Sequence, residues 1–174
     1  MQIKRTIANV GRGMISGYVG TKVMAPVSMK LYEMEPQKDR EQEDRVRPGP
    51  PYDVAARKTT QWVGLHLSAK RVKQLGLVFH YGLGMSGGVM YTLLRQFTSL
   101  SSPAAGLLMA AFLSLVVDEG LTPLLGFSAP DSAYPLVTHL RGFAAHFVYG
   151  LSTAGAAEGL LFLGRNGGPT GDYP

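Results

Sequence analysis

Two long stretches of this chain contain no Asp, Glu, Lys or Arg. The first is 21 residues long and lies between Lys73 and Arg95, and the second is 22 residues long and lies between Arg95 and Asp118. A helix rises about 1.5 Å per residue, so either stretch can cross a hydrocarbon layer of about 30 Å. A soluble helical bundle with a buried core is the alternative, but it rarely needs two such stretches in succession. The pattern therefore favours membrane-spanning helices.

The predicted fold class is all-α, an integral membrane four-helix bundle in a single domain. The four spans are expected at about residues 7–32, 75–94, 103–127 and 136–163, with a loose tail at 164–174. Residues 79–88 and 147–156 share an aromatic residue, Tyr-Gly-Leu and then small residues, at an offset of 68. This similarity suggests two helix hairpins related as a pseudo-repeat. Chance recurrence in Gly-rich sequence is the alternative.

Between the first two spans the composition changes. Residues 33–53 hold seven acidic residues, four basic residues and four prolines, which predicts an extended, solvated linker. Residues 54–74 then show apolar positions at helical spacing, opposite a basic face. We interpret this segment as an amphipathic helix at the membrane interface, with an ordinary soluble surface helix as the alternative. Its expected interface anchors are Trp62, Lys70, Arg71 and Lys73.

Glycine is abundant in the apolar stretches, with 22 residues in the whole chain. Small residues allow helices to approach closely in a bilayer, where Gly is better tolerated than in soluble helices. We therefore expect a helix-packing role for several glycines, namely Gly13, Gly17, Gly82, Gly84, Gly88, Gly150, Gly155 and Gly159.

The formal net charge of +5 raises the question of partners. The basic residues lie beside the predicted spans and in the linker, and no basic stripe alternates with aromatic residues, which argues against nucleic acid. Anionic lipid headgroups suit these positions better, so bound lipid is expected, with no other cofactor. The absence of Cys excludes disulfides and thiolate metal sites. Lys and Arg predominate on the side of residues 33–74, which predicts that this segment is cytoplasmic and both termini are outside.

Ionisable residues within the predicted spans are the best candidates for function, because such groups are costly in a bilayer unless they are paired or hydrated. The candidates are Lys22, Asp118, Glu119, Glu158, His80 and His146. They could form a proton relay or ion path. The commoner alternative is a structural pair, such as Lys22 with Asp118. Ligation of a haem by His80 and His146 is a further alternative, although hydrogen-bonded histidines are more frequent.

Motifs of the common enzyme classes are missing from the sequence. The chain has no Gly-Lys-Ser/Thr phosphate loop and no His-Glu-x-x-His zinc helix. Gly82-x-Gly84-x-x-Gly87 matches the dinucleotide fingerprint in form, but it lies within a predicted helix and follows no strand. We therefore expect no enzymatic activity and no catalytic or metal-ligating residues.

Three short motifs carry a resemblance to a known family. They are Gly17-x-x-Gly20-Thr21-Lys22-Val23-Met24, His80-Tyr81-Gly82-Leu83-Gly84, and the run from Ala145 to Ala154, Ala-His-Phe-Val-Tyr-Gly-Leu-Ser-Thr-Ala. Over residues 10–163 the chain resembles the YagU-type bacterial inner-membrane proteins. The resemblance implies a multi-span inner-membrane protein with a role in acid tolerance, and it brings no catalytic residues. The charged linker at 33–53 is not part of the family pattern.

Two functions remain open at this point. The first is a stand-alone membrane protein that moves or senses protons. The second is an accessory subunit of a larger respiratory or photosynthetic membrane complex. Such a subunit would dock on other membrane subunits, or on a second copy of itself, through its Gly-rich helix faces and its charged linker.

Overall fold

The computed structural model of the protein describes residues 2–166, and the side chains of residues 6–164. Every regular element in this range is helical and no strand occurs there, so the all-α prediction is confirmed. The elements are α1 (Gln2–Glu33), α2 (Gln37–Val46), α3 (Pro51–Trp62), α4 (Ala69–Phe97), α5 (Ser102–Leu124), a 3₁₀ turn (Asp131–Ala133) and α6 (Leu136–Asn166). The predicted tail at 164–174 lies largely outside the described residues.

The four long helices α1, α4, α5 and α6 form an antiparallel bundle. Helix α1 packs mainly against α4 and α6, while α5 packs against α6 and, less extensively, against α4. The pairs α1–α4 and α5–α6 are therefore two hairpins with the same direction. The short helix α3 lies against α4, and α2 touches the first part of α6. Both short helices thus sit at the end of the bundle where α1 ends and α6 begins.

Glycines allow the long helices to approach closely at three places. A Cβ added to Gly13 would lie 2.6 Å from Cα of Val89, and one added to Gly88 would lie 2.6 Å from the backbone nitrogen of Gly17. A Cβ added to Gly106 would lie 2.7 Å from the Gly150 carbonyl oxygen. Such positions exclude any larger residue unless the backbones move apart.

Five of the predicted packing glycines lie at such contacts: Gly13, Gly17, Gly84, Gly88 and Gly150. The prediction fails for three others, because a Cβ on Gly82, Gly155 or Gly159 would meet nothing within 4 Å in the described chain. The contact positions in α4 recur at helical spacing, as 84, 87, 88 and 91, and position 82 falls on another face. Gly20, Gly87 and Gly106, which are not among the eight glycines listed as packing residues, also make close contacts.

The two segments of the suggested repeat have different surroundings. Gly82 is open whereas its counterpart Gly150 packs against α5, and Gly87 is enclosed whereas its counterpart Gly155 is open. The hairpins thus share a direction but not a packing pattern.

Small side chains fill most of the bundle interior. Ala105, Ala110 and Ala145 are fully buried, and the few bulky side chains enclosed there include Tyr91, Tyr149 and Met109. Large apolar side chains lie mostly on the outside of the long helices, for example Ile15, Leu77, Val78, Leu108, Phe112, Leu115, Leu151 and Phe162. The distribution of residue size is therefore the reverse of that in a water-soluble bundle.

The segment between α1 and α4 differs from its predicted form. The linker at 33–53 contains α2, whose Glu43 is fully buried, and so it is not an extended, solvated chain. The helix expected at 54–74 is split, because α3 ends at Trp62 and α4 begins at Ala69. Gly64, at φ +74°, lies in this break and adopts a backbone conformation that favours glycine.

The buried face of α3 also differs from the apolar face that was predicted for residues 54–74. It consists of Val54, Ala55, Ala56 and Thr60. Trp62 is 62% exposed, and its ring centroid lies 5.9 Å from that of Phe127. The three basic anchors Lys70, Arg71 and Lys73 are exposed at the start of α4.

Helix α5 changes from α to π geometry in its second half. Residues Leu113–Leu121 form the π segment, which ends where the Thr122 amide donates to the carbonyl of Val117, five residues back. Pro123 gives a physical reason for the wider turn, because its ring would collide with the carbonyl four residues earlier in an α-helix. π segments within α-helices are frequent at functional sites, and this one carries Asp118 and Glu119.

Candidate functional site: a cavity at one end of the bundle

A cavity of about 510 Å³ lies in the half of the bundle next to α2 and α3. All four long helices line it, together with residues of α2 and α3 and of the loop between α5 and α6. Its inner end is formed near the middle of the bundle by Thr21, Gly84, Leu113 and Tyr149. On the side of α2, Glu43 and Arg141 border the cavity.

Two histidine–carboxylate pairs line this cavity. Glu119 Oε2 lies 2.6 Å from His139 Nδ1, and Asp118 Oδ2 lies 3.5 Å from His146 Nε2. Both carboxylates belong to the π segment of α5, and both histidines belong to α6. His139 and His146 are seven residues apart, so they lie on one face of α6, two turns from each other.

The second nitrogen of each histidine contacts a backbone carbonyl. Nε2 of His139 lies 3.2 Å from the Asp131 oxygen, and Nδ1 of His146 lies 2.9 Å from the Gly142 oxygen. A carbonyl oxygen only accepts, so each of these nitrogens carries a hydrogen. In a neutral histidine the other nitrogen is then an acceptor and faces a carboxylate. A hydrogen bond across each pair therefore requires one additional proton, held by the histidine or by the carboxyl group.

A second cluster of charges borders the cavity near the beginning of α6. Arg141 donates through Nη1 to Glu35 at 2.7 Å and through Nη2 to both carboxylate oxygens of Glu43, at 2.9 and 2.8 Å. Arg47 also approaches Glu43, at 3.3 Å, and the Thr138 hydroxyl donates to it at 2.9 Å. Burial raises the pKa of Glu35, although the attraction of Arg141 opposes this shift. The cluster holds α2 on α6.

The opposite end of the bundle is closed by a separate polar network. Arg95 Nε lies 3.2 Å from Glu158, and the Tyr91 hydroxyl lies 3.0 Å from Glu158 and 2.7 Å from the Ser102 hydroxyl. Arg95 also donates to the Leu100 carbonyl in the turn between α4 and α5. Between this network and the cavity, the glycine contacts bring the helix backbones together. The cavity therefore faces one end of the bundle.

The predicted ionisable residues fall into three groups. Asp118, Glu119 and His146 meet at the cavity, and Glu158 belongs to the network at the opposite end. Lys22 is exposed on α1, with its Nζ 6.0 Å from the centre of the Tyr81 ring. The predicted pair of Lys22 with Asp118 is therefore wrong, because Asp118 faces His146.

His80 lines the cavity from α4, and its ring lies 4.9 Å from that of Tyr52 and 5.3 Å from that of Tyr81. The haem alternative stays a prediction. Both of its proposed ligands, His80 and His146, line the same cavity. In the structure, however, Nε2 of His146 faces Asp118.

Four residues of the cavity and its charged border were not predicted from the sequence: His139, Arg141, Glu35 and Glu43. For His139 a signal existed, since it precedes His146 by two helical turns in an apolar segment. For Glu35 and Glu43 no local signal existed, because they lie among many charged residues of the linker.

Two helices of the described chain are long and apolar enough to cross a membrane, judged by length and composition alone. They are Ser102–Leu124 and Leu136–Gly164. The first two predicted spans do not meet this criterion, because charged residues interrupt α1 and Gly, Ser and Tyr lower the hydropathy of α4. The chain matches no family model, no curated protein and no solved structure. The resemblance to the YagU-type family stays a prediction.

Proposed function

We propose that the protein is a small, four-span protein of the bacterial inner membrane that responds to protons and has no enzymatic chemistry of its own. Protons enter the cavity from the side of α2 and α3. They bind at the two pairs Asp118–His146 and Glu119–His139.

The distribution of side-chain size supports insertion into a membrane. In lipid, large apolar residues can face outward at no cost, while small residues inside let the helices pack closely. Buried alanines and glycines with exposed Leu, Val, Ile and Phe side chains are therefore expected for a bundle surrounded by lipid. The two apolar helices α5 and α6 support the same proposal.

The hydrogen-bond geometry of the histidines carries the proposal of proton binding. Backbone carbonyls fix one nitrogen of His139 and one of His146 as donors, so each pair binds one proton between imidazole and carboxylate. Ionisable residues at membrane depth are costly, and they commonly mark proton or ion pathways. Two such pairs on one cavity wall form a site that can gain or lose protons as the pH changes.

The contacts of α2 offer less support for an accessory subunit that docks through its linker. Glu43 and Gln42, which such a role would leave for a partner, bind Arg141 and the Ala133 carbonyl of the same chain. Purification from native membranes in mild detergent separates the two functions. A lone small oligomer supports the stand-alone role, and a fixed set of large subunits supports the accessory role.

Membrane insertion and orientation can be tested with the same preparation. We expect the protein to resist extraction by alkaline carbonate. Ser99 and Gln61 are exposed at opposite ends of the bundle, and the chain has no Cys of its own. A cysteine introduced at 99 should react with an impermeant maleimide on intact cells, while one introduced at 61 should not. Release by carbonate would contradict insertion, and the reverse labelling would contradict a cytoplasmic position for residues 33–74.

Proton binding can be tested by infrared difference spectroscopy of the protein in lipid bilayers at stepped pH. We expect a pH-dependent band of a protonated carboxyl group or of an imidazolium ring, depending on which partner holds the proton, and this band should be reduced in Asp118→Asn and in Glu119→Gln. Glu41→Gln is the matched control, because Glu41 is exposed on α2 and lies away from the cavity. A difference spectrum that is the same in all three variants and in the unsubstituted protein would refute the proposal.

A further inference from the structure

The cavity has the size and the wall of a small-molecule site. Ligand pockets commonly measure about 300–1,000 Å³ and are mostly apolar with a few polar groups, and this cavity measures about 510 Å³. Five Phe and Tyr side chains line it, from α3, from α4, from the loop between α5 and α6, and from α6: Tyr52, Phe79, Phe127, Tyr134 and Tyr149. The faces of aromatic rings attract cations.

The charges on the wall are unevenly balanced. Its carboxylates are Glu43, Asp118, Glu119 and Asp131, and its only permanent cations among the described residues are Arg47 and Arg141. Both arginines are engaged by Glu43, and Arg141 also binds Glu35. The arginines therefore do not neutralise the π segment. Asp118 and Glu119 face titratable histidines instead.

The other titratable groups on the wall do not supply a fixed positive charge. They are His80 from α4, Tyr52 from α3, Tyr134 from the loop, and Tyr149 from α6. Helix α1 contributes Thr21, Met24 and Ser28, none of which titrates. When the protons of the two pairs leave, the region around Asp118 and Glu119 is thus negatively charged beside an aromatic wall.

We propose that this cavity binds an amphipathic organic cation, an ammonium group joined to an aromatic or short aliphatic body, in exchange for protons. The ammonium lies at Asp118 and Glu119, and the apolar body lies against the aromatic wall. Each cation that binds releases one proton from a histidine–carboxylate pair to the solvent, so the charge of the cavity is unchanged. This inference rests on the proposed function, because it uses the same proton-binding pairs.

The geometry favours an organic cation over a metal ion. Within the described residues, no three His, Asp or Glu side chains converge as metal ligands do. A bulky ammonium, by contrast, needs only negative charge and aromatic faces at longer distances. The open half of the cavity towards α2 and α3 gives room for the body of such a ligand.

The test uses benzyltrimethylammonium and its uncharged isostere neopentylbenzene as probes. The ammonium of the first probe does not titrate, so any pH dependence belongs to the protein. Binding is measured by calorimetry with the full chain in nanodiscs, after subtraction of empty nanodiscs. We expect the cation to bind more tightly than the isostere, and its affinity to fall about tenfold per unit of decreasing pH where one proton is displaced. The affinity for the isostere should not change with pH.

Asp118→Asn and Glu119→Gln should each weaken cation binding by about tenfold or more and leave isostere binding unchanged. The control variant Glu41→Gln should bind both probes as the unsubstituted protein does. Retained binding of the isostere shows that the variants are folded. Equal affinity for the two probes, or cation binding that is independent of pH, would overturn the inference and indicate an apolar or lipid-filled cavity. If the infrared band is present but the cation does not bind, this inference fails and the proposed function stands. If that band is absent, the proposed function fails, whatever the probes do.

Discussion

Replacing Arg141 with Met should release α2 from the bundle. The guanidinium is the shared partner of Glu35 and Glu43, and the side chains of all three residues are nearly excluded from solvent, with exposures of 9%, 3% and 1% respectively. Met keeps much of the unbranched apolar stem but removes the charge and all three hydrogen bonds. Two carboxylates are then left buried with Arg47 as the nearest cation, 3.3 Å from Glu43.

The size of the effect follows from the burial of the pair. Removing one partner of a buried ion pair costs about 3–5 kcal/mol, mainly because the other charge loses its compensation. Arg47 remains beside Glu43 and reduces this cost, so we expect Arg141→Met to destabilise the docked form of α2 by about 3 kcal/mol. The chain can avoid the penalty by detaching α2, which returns both carboxylates to water. A change of about 3 kcal/mol raises the population of the detached form by roughly a hundredfold.

Limited trypsin digestion measures this detached population directly. When detachment is fast relative to cleavage, the cleavage rate is proportional to the open population. Cleavage after Lys38, Arg40 and Arg45 in α2 should therefore become about a hundredfold faster in Arg141→Met. Arg57→Met is the matched control, since Arg57 is exposed on α3 and its removal should change stability by less than about 0.5 kcal/mol.

The comparison of the two arginine variants decides whether this reasoning holds. Cleavage in α2 that is equally fast in Arg141→Met and Arg57→Met would refute the docking role of the buried cluster. Arg141→Lys should give an intermediate rate, because a single ammonium cannot bind both carboxylates in the forked geometry of a guanidinium.

Three further predictions concern packing, pH and the second ion pair. Gly150→Ala should lower the stability in detergent by about 1–3 kcal/mol, because its Cβ would lie 2.8 Å from the Cβ of Ala110. Gly155→Ala should leave the stability unchanged, so equal melting temperatures of the two variants would contradict this prediction. Because burial raises the pKa of Glu35, its contribution to stability is fully present below about pH 4.5 and is lost as the pH rises through the raised pKa. Glu35→Gln should remove this part of the pH dependence of the melting temperature, and an unchanged slope would disprove it. Arg95→Met should cost only about 0–1 kcal/mol, since the ion pair of Arg95 is about one-third exposed; a loss as large as that of Arg141→Met would show that exposure does not decide the cost.

Local sequence was sufficient to predict the all-α fold. The stretches without charged residues were predicted to cross a membrane, where a helix satisfies its backbone groups within its own segment. Gly13, Gly17, Gly84, Gly88 and Gly150 were predicted as packing residues because small residues at helical spacing are needed for close helix contacts. Gly82, Gly155 and Gly159 were wrongly included, because composition does not tell which face of a helix meets a neighbour.

The candidate site was predicted only in part. Asp118, Glu119 and His146 were identified because charge is costly in an apolar segment wherever the helix is placed. Their partners were not, since Asp118 was paired with Lys22. Which side chains meet depends on the rotation and register of α5 against α6, and the π turn before Pro123 alters that rotation.

The sequence by itself thus determined the long helices and the ionisable residues within them that are expensive to bury, because both follow from the free energy of transferring local groups out of water. Only the tertiary structure decided that Glu43 is buried and that His139 faces Glu119. Glu43 is 98 positions away from its partner Arg141, and His139 is 20 positions away from its partner Glu119. The energy of these contacts depends on the distance between groups on different helices, and that distance is set by packing over the whole bundle.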